Sequence, residues 1–371
     1  GVITGLLDGM YYTAMGDWNN GGTTTFEARF DSSLWSYSAP TDHKALTQDN
    51  IASSDQFISA FSWIKNRDAT DNHMLFDRVR GINKDLHSNS TAAEVTDVET
   101  VQQFLSAGVQ IGNDAEVNTA NESYVLWNWM MEATGSGTLN EDGSIDSTVL
   151  VDTTLGVSVG TYTGNNTAGA TVGHGLGVAP ELVVYKNRDA AVYWLAYHKD
   201  LTADRYMFLN SSTASADANV FNDTYPTSTN LVLGTDIGIN SNTVDYVYMA
   251  FAPSQFISIG SYTNNNNADG PFVPTVNSLG VPIQPVWIMA KTDASASWII
   301  IDNKRIGYNV DNNNLLADTT VVESTADKMD IVTGGFKLRT NLDPNYLTAT
   351  TVYIAIGTPI IDTDGRIIAG R

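Results

Sequence analysis

Cysteine is absent from this 371-residue chain, which excludes disulfides and thiolate metal sites outright. Basic residues are scarce: 19 Lys and Arg stand against 41 Asp and Glu, a formal net charge of −22. Binding a phosphate backbone needs a basic face, so nucleic acid is excluded as a partner. The same field disfavours anionic membrane surfaces. Charge of either sign makes up only 16% of the chain, against roughly 25% in ordinary globular proteins. Long apolar runs are missing too. Nothing approaches the roughly 18 residues of a membrane-spanning helix, so no membrane insertion is expected. Gly1 is not followed by a basic-then-apolar leader, and the chain reads as a processed product or a piece of something longer.

With charge scarce, the polar surface falls to Asn, Thr, Ser and Gly. That mixture suits β-structure with many turns, because Thr favours strands while Asn and Gly tolerate positive φ. Three stretches resemble one another: "FSWIKNRDATDNHMLFDRVRG" from Phe61, "APELVVYKNRDAAVYWLAYHKDL" from Ala179, and "QPVWIMAKTDASASWIIIDNKR" from Gln284. In each, an apolar run ends in a lysine (Lys65, Lys186, Lys291), a polar turn follows, and a second apolar run leads to Asp77, His198 or Asp302. The correspondence continues through "DLHSNSTAAE", "MFLNSSTASA" and "LLADTTVVES" to a late strand rich in Tyr and Val or Ile. A spacing of roughly a hundred residues is the size of a small sandwich domain, too long for a solenoid repeat.

The hydrophobic period within a unit is two, with turn signals about every 8–12 residues. The expected fold is all-β: three tandem antiparallel β-sandwich repeats, strung like beads, behind a partial N-terminal β segment. Boundaries are placed at 1–45 for that segment, 46–135 for the first repeat and 136–150 for a Gly/Ser/Asp-rich linker. The second and third repeats follow at 151–253 and 254–358, with a tail at 359–371. Asn20-Gly21 marks a hairpin, and Thr96 with Glu99 a capping box for a short helix peculiar to the first repeat.

The strings "TYTGNNTAGATVGHGLGVAPELVVYKNRDA" and "GSYTNNNNADGPFV" with "PVWIMAKTD" resemble an uncharacterised β-repeat family of tailed, often marine, phage virion proteins. The resemblance covers roughly residues 51–356. "SSLWSYSAPTDHKAL" is similar to the closing segment of the SPRY- or lectin-like domain that precedes such repeats, although Arg-Pro-Phe there has become Ser-Leu-Trp here. The resemblance implies a virion structural protein: a tail-fibre or receptor-binding appendage exposed to host surface glycans, or a capsid decoration protein. It implies homo-oligomers, trimers among them, and contacts with other virion proteins. It supplies no catalytic motif.

Candidate sites divide into chemistry and architecture. The cluster Lys65, Asn66, Arg67, Asp68, repeated as Lys186, Asn187, Arg188, Asp189, has the groups to grip a sugar carboxylate. The third copy keeps only Lys291 and Asp293, with Thr292 for Asn and no Arg. A turn with Lys and Arg solvated at a strand end survives that change, whereas a catalytic role in every unit does not. "GHGLG" around His174 lacks a Walker pattern and reads as a bend. Asp77, Asp302 and His198 fall one to a bead, so they are expected as independent surface or strand-end positions, not a glycosidase pair. "NEDGSID" and "DTDGR" lack the full calcium-loop pattern, leaving calcium the sole cofactor to consider. Five His, His43 among them, are too scattered for a metal site, and five glycosylation-type sequons are chance hits in so Asn-rich a chain. Trp127, Trp129, Tyr193, Trp194 and Trp298 either stack on sugars or fill the core. Against the appendage stand a glycan depolymerase, which would need paired carboxylates in a groove, and a cell-surface adhesin.

Overall fold

Strands such as Leu182–Asn187 are apolar on both faces because a different layer covers each face. In the computed structural model, which describes residues 57–360 apart from 107, 133, 134 and 306–312, the protein is almost entirely β, as composition requires. The expectations placed on Asn20-Gly21, on the segment 1–45, on His43 and on the C-terminal "DTDGR" lie outside the described residues.

Three large antiparallel sheets follow one plan. In the first, β1 (Ile58–Asn66), β2 (His73–Asp77) and β3 (Lys84–His87) form a meander, and β4 (Tyr124–Met131) returns to the other side of β1. In the second, β5 (Val157–Thr163) precedes the meander β6 (Leu182–Asn187), β7 (Leu195–His198) and β8 (Arg205–Phe208). There β9 (Asp245–Phe251) lies between β5 and β6. The third sheet repeats this with β10 (Ile257–Thr263), then β11 (Ile283–Thr292), β12 (Ile299–Asp302), β13 (Asn314–Leu316), and β14 (Thr350–Pro359) between β10 and β11. Among the described residues, β4 carries no neighbour equivalent to β5 or β10.

One face of each large sheet is covered by a small sheet of its own. The resulting local cores centre on Phe76, Tyr185 and Phe336. The opposite faces all meet in one common core. Period two sorts the residues between them: Phe61 and Trp63, Leu182 and Val184, and Trp287 and Met289 enter the shared core, while Ile64, Val183 and Ile288 turn to the local ones. Trp129 touches Phe61 of its own sheet at 4.8 Å, Trp287 of the third sheet at 5.6 Å and Phe251 of the second at 6.3 Å between ring centroids. Truncating such a ring to Ala typically costs about 3–5 kcal/mol.

The expected string of beads is therefore corrected: the described residues from Phe57 to Ile360 form one compact unit. The stretch taken for a linker, 136–150, contains the strand Thr138–Asn140 and the start of Ser147–Asp152, which extend the second sheet. The helix expected after Thr96 is absent. Thr96 ends a two-residue strand, and Val101–Leu105 forms a hairpin with Gly108–Ile111. The Asp97 side chain takes the Glu99 amide at 2.8 Å instead, and Val101 is needed in the local core. A single helical turn occurs later, at Ala115–Asn118, capped by Asp114.

Candidate functional site

The turn chemistry of Lys-Asn-Arg-Asp is as the sequence suggests. Asn66 Oδ1 accepts the amides of Asp68 and Ala69 at 3.0 and 3.2 Å, and Asn187 does the same for Asp189 and Ala190 at 3.0 and 2.9 Å. The solvated lysines and arginines are not found. Lys65, Lys186 and Lys291 share the strand parity of Trp63, Val184 and Met289, so they point toward the common core, and all three are 0% exposed. Their ammonium groups are met by carbonyls. Lys186 Nζ donates to Asn187 O at 2.7 Å and to Thr91 O of the first sheet's loop at 3.2 Å. Lys291 Nζ donates to Ala296 O at 2.5 Å and to Ser211 O of the second sheet's loop at 2.9 Å. Burial pulls Lys186 and Lys291 down to about 8 and lowers Lys65, outweighing the attraction of Asp318, Asp343 and Asp293 on Lys291 and of Asp71 and Glu116 on Lys65.

The arginines tie one sheet to the next. Arg188 forks onto Glu94 of the first sheet, with Nε and Nη2 each at 2.9 Å, while Arg80 Nη1 reaches the same carboxylate at 3.1 Å. Arg67 forks onto Glu323 of the third sheet at 3.0 and 2.7 Å, and Arg305 Nη1 joins at 2.8 Å. In both places the glutamate amide also donates to the carbonyl of the partner arginine, at 2.8 and 2.9 Å. Asp77 and Asp302 hold the inner arginines from behind: Asp77 bonds Arg80 Nε, and Asp302 bonds Arg305 Nε at 2.7 Å. Burial pushes Glu94 and Glu323 up, but their arginine partners outweigh it and leave both below the usual carboxylate range.

Between the third and second sheets every member of this set is replaced. Leu201 stands for Arg80 and Arg305, and Ser215 for Glu94 and Glu323. Asp293, expected as the counterpart of Asp68 and Asp189, sits at the position of Arg67 and Arg188, its amide making the same bond to the closing strand. His198 takes the place of Asp77 and Asp302. There Asp293 Oδ1 accepts the Ser215 amide at 3.2 Å, and Ala296 N donates to Ser212 O at 2.8 Å. With the whole set absent no buried charge is stranded, as it would be if one partner alone were missing.

The acids and histidine expected at independent surface positions are thus buried: Asp77 is 1%, His198 1% and Asp302 6% exposed. His174 is buried within "GHGLG", where Gly175 and Gly177 take φ of +70° and +73°, the bend expected of it. "NEDGSID" closes a hairpin through hydrogen bonds between Asn140 and Asp142 at 3.0 and 3.1 Å. No group of three metal-ligating side chains converges among the described residues.

Of the five aromatics, Trp194 and Trp298 are sealed inside, their indole N–H groups donating across sheet contacts to His87 O at 2.8 Å and Phe208 O at 2.7 Å. Tyr193 is exposed but leans on Phe208, 4.7 Å between centroids. Trp127 and Trp129 belong to the core while their edges border a groove of about 410 Å³ between β4 and the third sheet. Trp287, placed just after a bulge in β11, forms the facing wall. Leu126 and Lys304 flank it. Trp287 Nε1 and Asn303 Oδ1 are buried there, and neither has a hydrogen-bond partner among the described residues. Such orphans are uncommon in native interiors. Trp287 and Asn303 escaped the sequence reading, which had no means of seeing two sheets close over one groove.

A family model described as Domain of unknown function (DUF7483) matches residues 42–358, a span that takes in all three large sheets. The chain belongs to that family. No curated protein matches the chain, and no solved structure matches it either.

Proposed function

We propose that the protein is a non-enzymatic structural component of a tailed-phage particle, a tail-fibre or receptor-binding appendage whose groove meets a host surface glycan. The observation that carries the reading is the groove itself. Indole edges of Trp127, Trp129 and Trp287 are combined there with an unpartnered donor and an unpartnered acceptor. Apolar walls with a few convergent polar groups are what a small-molecule site requires, and sugar rings offer C–H faces to the aromatic edges and hydroxyls to the exposed Lys304. The net charge of −22 favours a neutral sugar over an anionic one. The resemblance to phage virion repeats supports the location. Homo-oligomerisation, and the descent of the three sheets from one ancestral unit, belong to the same proposal.

A glycan array tests it. Binding without release of reducing ends is expected. Leu126→Arg and Lys304→Glu, at exposed positions of the groove wall, should weaken binding by about tenfold or more, roughly 1.4 kcal/mol, with unchanged melting. Reducing-end release would instead identify a depolymerase. Density for the protein on the capsid shell, with no glycan bound, would assign it to decoration.

A further inference from the structure

Two of the three contacts between large sheets are held by an Arg–Glu–Arg trio, and the third is not. In the middle of the third lies His198, at the end of β7 and 1% exposed. Its ring is used on both sides. Nδ1 accepts the Asp200 amide at 3.2 Å, and Nε2 faces Tyr353 O of the third sheet at 3.4 Å. Since an amide can only donate, Nδ1 must be bare and the proton must sit on Nε2, where it donates to the carbonyl. This neutral tautomer is the only form that satisfies both neighbours.

We propose that the contact between the third and second sheets is an acid-sensitive seam, which opens when His198 takes up a proton while the two Arg–Glu–Arg contacts stay closed. Protonation puts a hydrogen on Nδ1 that points at the hydrogen of the Asp200 amide, so the turn after β7 must rearrange. The charged groups around the ring do not rescue it. Lys199 is engaged with Glu181 at 3.4 Å, and the Asp200 carboxylate offers attraction but makes no hydrogen bond to the ring. From the third sheet, Tyr353 presents a carbonyl and no acid. Burial leads the causes that hold His198 down at about 4.

The other buried histidines behave differently. His174 makes the same pair of contacts, to the Leu176 amide and Thr227 O, each at 3.2 Å, but wholly inside the second sheet's own layers. His73 lies at the contact of the first sheet with the third, where its Nδ1 accepts the Trp63 indole N–H at 2.8 Å. Its Nε2 faces Leu316 O without closing a hydrogen bond. Burial first, then the charges of Lys65 and Arg305, hold it well below the ordinary histidine range, and its contact carries the Glu323 trio as well. Of the two histidines at contacts between sheets, acid therefore acts first at His198.

The absence of native cysteine makes single thiol probes clean. Ala296→Cys reports the seam and Ala317→Cys the trio-held contact, both alanines being at most 2% exposed. Labelling with a disulfide reagent that reacts in acid should accelerate at least tenfold at Ala296→Cys between pH 7 and pH 4, and not at Ala317→Cys. His198→Gln should abolish the acceleration. Equal acceleration at both probes, or its persistence in His198→Gln, overturns the proposal. Hydrogen exchange of the unmodified protein gives a second readout that needs no variant. After correction for intrinsic rates, the Ala296 and Ser215 amides should lose protection in acid while those of Glu94 and Glu323 keep it; uniform loss overturns the proposal equally.

Discussion

The contact of the second sheet with the first and that of the third with the second use the same scaffold with opposite electrostatics. In the former, a loop glutamate is shared by an arginine from each side; in the latter, the glutamate and both arginines are gone together. Each contact nonetheless keeps a backbone hydrogen bond between sheets, though at different places. It runs from Glu94 N to Arg188 O at 2.8 Å in the one and from Ala296 N to Ser212 O at 2.8 Å in the other, where the Ser215 amide goes instead to the Asp293 side chain. What keeps the sheets together in every case is the shared apolar core and the loop-to-strand hydrogen bonds. The charged trio is an addition that works only when complete.

The largest expected effect breaks one trio from its centre. Glu94→Ala leaves Arg80 and Arg188 facing each other with little water, and should destabilise the fold by about 3–5 kcal/mol in denaturant titrations. Rewriting the whole set after the third contact, with Asp77→His, Arg80→Leu, Glu94→Ser and Arg188→Asp together, should cost less than half as much. If the quadruple variant were as damaged as the single one, the idea that the set works as a unit would be wrong.

Next in size is the response of the buried lysines to alkali. Lys186 and Lys291 sit at about 8 in the folded state and near 10.4 when unfolded. Between those values the unfolded chain binds more protons, so stability should rise with pH from about 8 to 10, by about 1–3 kcal/mol per lysine. Lys186→Met should remove its share of that rise while leaving the protein as stable or more so at pH 7. A flat profile for the wild-type protein across this range would count against buried, uncompensated amines.

The smallest effect sharpens the contrast from the other side. Arg205 lies 3.7 Å from Asp293 at the third contact, and its side chain is 38% exposed. Arg205→Ala should change stability by less than about 0.5 kcal/mol. A loss comparable to that of Glu94→Ala would mean that the third contact has a charged latch after all.

Much of this was visible in the chain before its fold. The all-β class followed from Thr, Asn and Gly with period two, and the lysines of the three related stretches occupy one register in three sheets. The side on which those lysines lie was not visible. In "VVYKN" both parities are apolar, so sequence alone leaves open which face meets a local layer and which meets a common core. A lysine at the end of such a strand is then read as solvated. The trios did leave a trace. The stretch with Glu94 precedes one with Arg188, the stretch with Ser215 precedes one with Asp293, and Glu323 corresponds with Arg67. Matching loop residue to turn residue across neighbouring units, cyclically, gives opposite charges twice and none the third time. The groove left no trace, since Trp129, Trp287 and Asn303 come from distant strands and meet only when two sheets close.

The covalent connection of the three sheets has a consequence for how the molecule can change. In a homotrimer each substitution is copied into all three contacts, so a latch is either present three times or lost three times. Here each contact is encoded separately. Leu201, Ser215 and Asp293 could be replaced without touching Glu94 or Glu323, and one joint could be given a different strength from its two neighbours. A single chain imitating a three-part assembly is free to be uneven, and this one is.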